Sequence, residues 1–133
     1  MRPGTLVNVT LCLSIVSLAA CDRTARERIH AEHLAKAAEF KRQFDDQLPQ
    51  GSPLAAVDDY LQDKPVTVVR SLDFLPQSGG GHRRVIGRLM IETAKEKSLI
   101  FGCGSASVGV VAQFTNEERL EKSEVTSWSF DCM

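Results

Sequence analysis

The sequence predicts an α+β domain in which two N-terminal helices pack on a small antiparallel β-sheet meander, a two-layer sandwich. Three observations lead there. Apolar residues recur at helical spacing between Ile29 and Leu61. Beyond Pro65 the pattern changes to β-branched runs that alternate along the chain. Those runs are joined by short polar or glycine-bearing segments, and connections of that length favour antiparallel pairing. With 133 residues, 43% of them hydrophobic and 25% charged, the chain has the size and composition of one globular domain.

The first helix is expected over 22–46. Ile29, His33, Ala37, Phe40, Phe44 and Leu48 follow one another at spacings of three or four and share one face. Arg28, Glu32, Glu39, Arg42 and Asp46 fall on other faces. The run from Leu48 to Gly51 breaks the helix, and Ser52-Pro53 reads as an N-cap followed by proline at the first helical position. A second helix over 54–62 then presents Leu54, Val57 and Leu61 on one side, and Lys64-Pro65 stops it.

Strands are expected over 66–72, 84–93, 107–114 and 120–130, with a further short piece at 98–102. The segments 76–81, 94–97 and 115–119 read as turns. The third of the four main strands is the clearest, because Val108, Val110, Ala112 and Phe114 alternate onto one face. Phe114 and Leu120 are placed to clasp across the hairpin that follows.

The first twenty residues have a different character. Arg2 opens them, and 6–18 is apolar apart from Asn8, Thr10, Ser14 and Ser17. That run is too short to span a bilayer, which takes about 20 apolar residues, and has the proportions of a secretory signal. It ends Leu18-Ala19-Ala20-Cys21, which resembles the lipobox of bacterial lipoproteins. The resemblance implies cleavage before Cys21 and acylation of its thiol, with palmitate-like chains anchoring the mature protein to a membrane. Two or more chains hold stably, since each buried methylene contributes about 0.8 kcal/mol. The expected organisation is therefore a signal peptide at 1–20, a helical tether at 21–47 and an α+β domain at 48–133. Asp22 leans toward the inner membrane, facing the periplasm.

Removing the first 20 of 133 residues removes only Arg2 among the charged side chains, leaving 15 basic against 17 acidic residues. Such a balance gives no electrostatic footprint for nucleic acid. It also leaves two cysteines besides the acylated one. Cys103 and Cys132 form an even pair in a compartment that permits disulfides, and a bridge would contribute about 3–4 kcal/mol in the chain-entropy model. Two unbonded thiols, or a reactive Cys103 in its glycine-flanked turn, are the alternatives.

Gly51, Val57 six residues on and Leu61 four beyond resemble the helical motif of SmpA/OmlA-type lipoproteins. Phe114, Arg119 and Leu120 resemble that family's terminal hairpin. The β-lactamase inhibitory protein shares the architecture. The resemblance covers about 51–130 and implies a role in envelope maintenance, assembly or enzyme inhibition. The chain departs from the pattern in two places, with Gln62 after the second helix and Glu118 in the hairpin turn where the family has glycine. A left-handed backbone at either position would strain a non-glycine residue.

Other chemistry is sparse. His30 and His33 with Glu27 make at most a partial metal site, since zinc takes three or four ligands. A packing or surface role suits these histidines better. The glycines at 79–81 with His82, Arg83 and Arg84 lack the strand-then-helix context of a phosphate loop and read as a hairpin loop. Asp45-Asp46 and Asp58-Asp59 read as helix-end and helix-surface acids. No nucleophile–base pair is legible, so no catalytic residue, metal or cofactor is assigned. Trp128 is either core or an exposed anchor for a partner. The leading expectation is a non-catalytic envelope lipoprotein that binds another protein. A small hydrolase or metal-binding module, and a structural tether without a specific partner, are the alternatives.

Overall fold

Lys64 and Pro65 divide the chain into a helical part and a sheet part. A computed structural model describes the backbone of residues 4–76, 79, 82–97 and 104–129, and the side chains of 23–71, 79, 87–97 and 104–129. Two helices, α1 (Gly4–Gln47) and α2 (Leu54–Gln62), precede four strands. These are β1 (Thr67–Pro76), β2 (His82–Lys97), β3 (Ser105–Phe114) and β4 (Leu120–Trp128). The strands form one sheet in the order β1-β2-β3-β4, antiparallel at every step. The class is therefore α+β, with a four-stranded meander. Among the described residues no helix is long and apolar enough to cross a membrane.

The chain forms two compact units, Met1–Glu32 and His33–Met133. In the first, Arg23 and Glu27 pair at 3.0 Å one turn apart on exposed helix. Ile29 is 47% exposed, so the expected apolar stripe does not include it. In the second unit the stripe is real, with Ala37, Phe44 and Leu48 buried and Phe40 half-buried. One core cluster joins Phe44 and Leu48 with Leu54, Val57 and Leu61 of α2. Leu89 and Ile91 of β2, Val110, Ala112 and Phe114 of β3, and Leu120 of β4 complete it. Phe40, Phe44 and Tyr60 meet at ring separations of 5.8–6.5 Å, a range in which aromatic rings attract edge to face or offset.

Ser52 does not cap α2. Its hydroxyl donates to the Pro49 carbonyl at 2.6 Å, and the N-cap position falls to Pro53, which has no side-chain cap. The hairpin turn between β3 and β4 does that work instead. The Leu54 N–H donates to the Glu118 carbonyl at 2.9 Å. Beside it, Gly51 N–H donates to Leu120 O at 2.7 Å, and Leu120 N–H donates to Ser52 O at 2.8 Å. Pro53 and Arg119 form the bridge between the two segments, and the Arg119 guanidinium reaches the Gly51 carbonyl at 3.4 Å. Gly51 meets this ladder at φ +91°, a left-handed backbone that side chains rarely adopt.

The first three strands are longer than the sequence pattern predicts, whereas β4 ends at Trp128, short of the expected 130. β1 runs on to Pro76, and β2 begins at His82, which pairs with it. The expected turn at 94–97 is strand, paired with 105–108 after a bulge between Glu92 and Ala94. Its polar residues read as a turn, yet a strand end carrying charge outward pairs just as well. Gly109 sits opposite that bulge. A Cβ there would stand 1.9 Å from the Ile91 carbonyl oxygen, so glycine is required by close backbone approach. The expected short strand at 98–102 lies outside the described residues.

Phe114 and Leu120 pair directly, as their spacing predicts. Between them, Glu118 N–H donates to Thr115 O at 3.0 Å and Thr115 N–H donates to Arg119 O at 2.8 Å. A four-residue turn closed in this way and ending on a left-handed residue usually takes glycine at that position. Here that residue is Glu118, at φ +58°. A left-handed non-glycine residue costs about 1–2 kcal/mol, against about 0.5–1 kcal/mol of extra chain entropy that glycine loses on folding. Glu118→Gly is therefore expected to stabilise the domain by roughly 0.5–1 kcal/mol in urea denaturation, with the slope unchanged. Destabilisation would show that the turn tolerates Glu118 without strain.

Candidate partner-binding face

Alternation along the strands gives the sheet two different faces. One carries Leu89, Ile91, Val110 and Ala112 into the core cluster, with Val68 and Val125 packed against it. The other carries Val69, Met90 and Val111, which the register places side by side on β1, β2 and β3. Val69 is 41% exposed, Met90 and Val111 are half-buried, and none of the three belongs to the core cluster. Adjacent rows on this face are polar. Arg88, Gln113 and Lys122 lie on one side of the apolar row, and Thr67, Glu92, Gly109 and Thr126 on the other.

Trp128 ends β4 opposite Ser107. Alternation from Val125 sets it on this second face with Thr126. It is half-buried and stands outside the core cluster, which leaves part of a large amphipathic ring at the surface. Near it, the Ser107 hydroxyl donates to Glu92, so the neighbouring carboxylate is already engaged. Phe130, expected on the same face, lies outside the described residues.

The other sequence-predicted residues scatter. Cys21 falls within α1, and its side chain is outside the described residues, as are Cys103 and Cys132 altogether. Ser129 donates to the Ser105 carbonyl at 2.7 Å, which joins the chain just after Cys103 to the chain just before Cys132. Glu27 pairs with Arg23. His33 instead meets β2, its Nδ1 standing 2.6 Å from Glu96 Oε2. Among the described residues no group of three or more His, Cys, Asp or Glu side chains is placed to hold a metal ion. The backbone of His82, Arg83 and Arg84 is strand, paired with Pro76, Leu75 and Phe74. Asp45 pairs with Lys41 and accepts a hydrogen bond from Ser123, Asp46 stands 3.4 Å from Arg42, and Asp58 pairs with Arg70.

Sequence reasoning missed the Val69–Met90–Val111 row and the partnership of His33. The row had a signal, since Met90 stands between Leu89 and Ile91 and must point away from both. His33 had none, because Glu96 was read as part of a turn. Glu39 was read only as a helix-surface acid. Hydrogen bonds from Arg42 and then Gln43 hold its carboxyl at about 2, well below the usual carboxylate range.

Comparison of the chain with protein-family models, curated proteins and solved structures finds no match in any of the three.

The contact between His33 Nδ1 and Glu96 Oε2 joins α1 to β2. A double-mutant cycle of His33→Ala and Glu96→Gln is expected to give a coupling of about 1 kcal/mol in chemical denaturation. Additivity of the two variants would mean that the contact contributes nothing to holding the helix.

Proposed function

We propose that this chain is a bacterial envelope lipoprotein, cut before Cys21 and anchored through lipid on that residue. Its α+β domain makes non-catalytic contacts with another envelope protein. In this reading α1 and α2 cover the core side of the sheet as a two-layer sandwich, and the second face of the sheet meets the partner. The observation that carries it is the apolar row Val69–Met90–Val111, outside the core cluster, on the same sheet face as Trp128. Glu124 ends the row on β4, Arg88 and Lys122 flank it on one side, and the row through Thr126 separates it from Trp128 on the other. An apolar strip and an amphipathic anchor on one sheet face, set among polar side chains, have the composition of a protein-binding patch. Anchoring rests on the residues Leu18-Ala19-Ala20-Cys21. Asp22 favours the inner membrane, facing the periplasm.

Two further points support the lipoprotein-family reading. The residues of its two short motifs meet in space, Gly51 bonding Leu120 and Arg119 reaching Gly51. Glu118 also adopts the left-handed backbone for which the family uses glycine. A bridge between Cys103 and Cys132 suits the joining of Ser105 to Ser129 and would close the open end of the β3–β4 hairpin.

Photo-crosslinking residues placed at Val69, Val111 or Trp128 in the full chain, in living cells, are expected to yield the same discrete adduct. The exposed helix position Asp59 is expected to yield none. Cys21→Ser should abolish palmitate labelling and, with the anchor gone, weaken the adduct. Equal crosslinking from Asp59 would contradict the face assignment, and a Cys21→Ser protein that still carries label would contradict the anchor.

A further inference from the structure

A second surface feature lies away from the face just described. The part of α1 around Phe40 and the segment leaving α2 enclose an open cleft of about 240 Å³. Its apolar lining is Phe40, Pro65 and Val66. Thr93 is the buried residue among those lining it, and its hydroxyl is already committed to the Val108 carbonyl at 3.1 Å. The lining thus offers little to hydrogen-bond a polar guest except at its charged residues.

Those charges are unevenly satisfied. Among the described residues Glu39 is the only carboxylate that lines the cleft, and both its oxygens are occupied. Oε1 accepts from Arg42 at 2.6 Å and from Gln43 at 2.9 Å, while Oε2 accepts from Arg42 at 3.0 Å. Lys36 and Lys64 also line the cleft, are exposed, and form no ion pair among the described residues. The Lys64 ammonium lies 4.7 Å from the centre of the Tyr60 ring, a contact that leaves its charge unneutralised. An apolar trough bearing two unneutralised ammonium groups is complementary to a guest with an apolar body and one negative end.

We propose that this cleft binds a short amphiphilic carboxylate, its unbranched tail along Phe40, Pro65 and Val66 and its carboxylate between Lys36 and Lys64. The modest volume, about 240 Å³, suits a short tail of about six carbons rather than a long acyl chain. A neutral guest of the same shape gains the apolar contact alone. A cationic guest meets two like charges. The site shares no residue with the sheet face assigned to a partner, so either assignment stands without the other.

The test uses the full chain in lipid nanodiscs, with the methyl groups of Val66 and Thr93 labelled for NMR and free ligand measured in every sample. Only cleft methyls are read, so ligand entering the lipid does not register as binding. Hexanoate is expected to shift both methyls saturably. Butyrate should bind more weakly, by about fourfold per missing methylene, and tails longer than the cleft should gain nothing further. 1-Hexanol and hexylamine are expected to bind less well than hexanoate. Lys36→Gln and Lys64→Gln, both at exposed positions, should each weaken hexanoate roughly two- to fivefold and leave 1-hexanol unchanged. The proposal is overturned if neither methyl moves with hexanoate, if 1-hexanol binds equally well, or if both lysine variants retain full affinity.

Discussion

The loop between the helices and the β3–β4 turn hold each other by main-chain hydrogen bonds, and the rest of the domain is arranged around that junction. Three bonds link residues 51–54 to residues 118–120. They satisfy the first N–H of α2, which no side chain caps, and they position Leu54 and Leu120 in one cluster. A helix of nine residues is too short to persist in water alone, so α2 depends on its partners rather than on its propensity. The junction also connects parts of the chain that are far apart in sequence. It therefore determines which helix faces enter the core with Leu89, Ile91 and Val110.

Much of the core arrangement was legible because periodicity reports burial directly. Leu54, Val57 and Leu61 are the buried residues of α2, and Val108, Val110, Ala112 and Phe114 are buried on one face of β3, as their spacing predicts. Ile29 obeys the same spacing yet remains exposed, because periodicity describes a face and says nothing of whether another element meets it. The residues 94–97 were misread for a related reason. A strand end whose outward positions are charged has the composition of a turn, and only pairing with β3 distinguishes them. Ser52 was misread as a cap because its competitor, a carbonyl in a distant hairpin turn, has no local signature.

The candidate site was legible in part. Trp128 stood out as the one tryptophan of the chain, but its face depends on register with β3, which the sequence alone does not supply. Met90 and Val111 passed unnoticed inside runs of apolar neighbours. The two sheet faces differ in what they ask of the chain. One carries the buried apolar residues of β2 and β3, with Arg70 and Ser123 at its margins, whereas the other combines an apolar row with charged and amide side chains at partial exposure. A face of the second kind neither forms a core of its own nor matches an ordinary solvated surface, and this gives it the character of a contact surface. The charged residues of the helices have other work. Asp45 binds Lys41 and Ser123, Asp58 binds Arg70, and His33 meets Glu96, so these groups tie helix to sheet.

Amide hydrogen exchange at the junction tests the account most directly, since loop amides held by main-chain bonds exchange only when the domain opens. The amides of Gly51, Leu54 and Leu120 should exchange as slowly as those of Val110 and Ala112 in the centre of the sheet. Exchange of Gly51 and Leu54 at the rate of an unprotected loop, with the sheet amides still slow, would contradict it. The helices would then be held by side-chain packing alone, and the junction would be a consequence of the fold rather than its constraint.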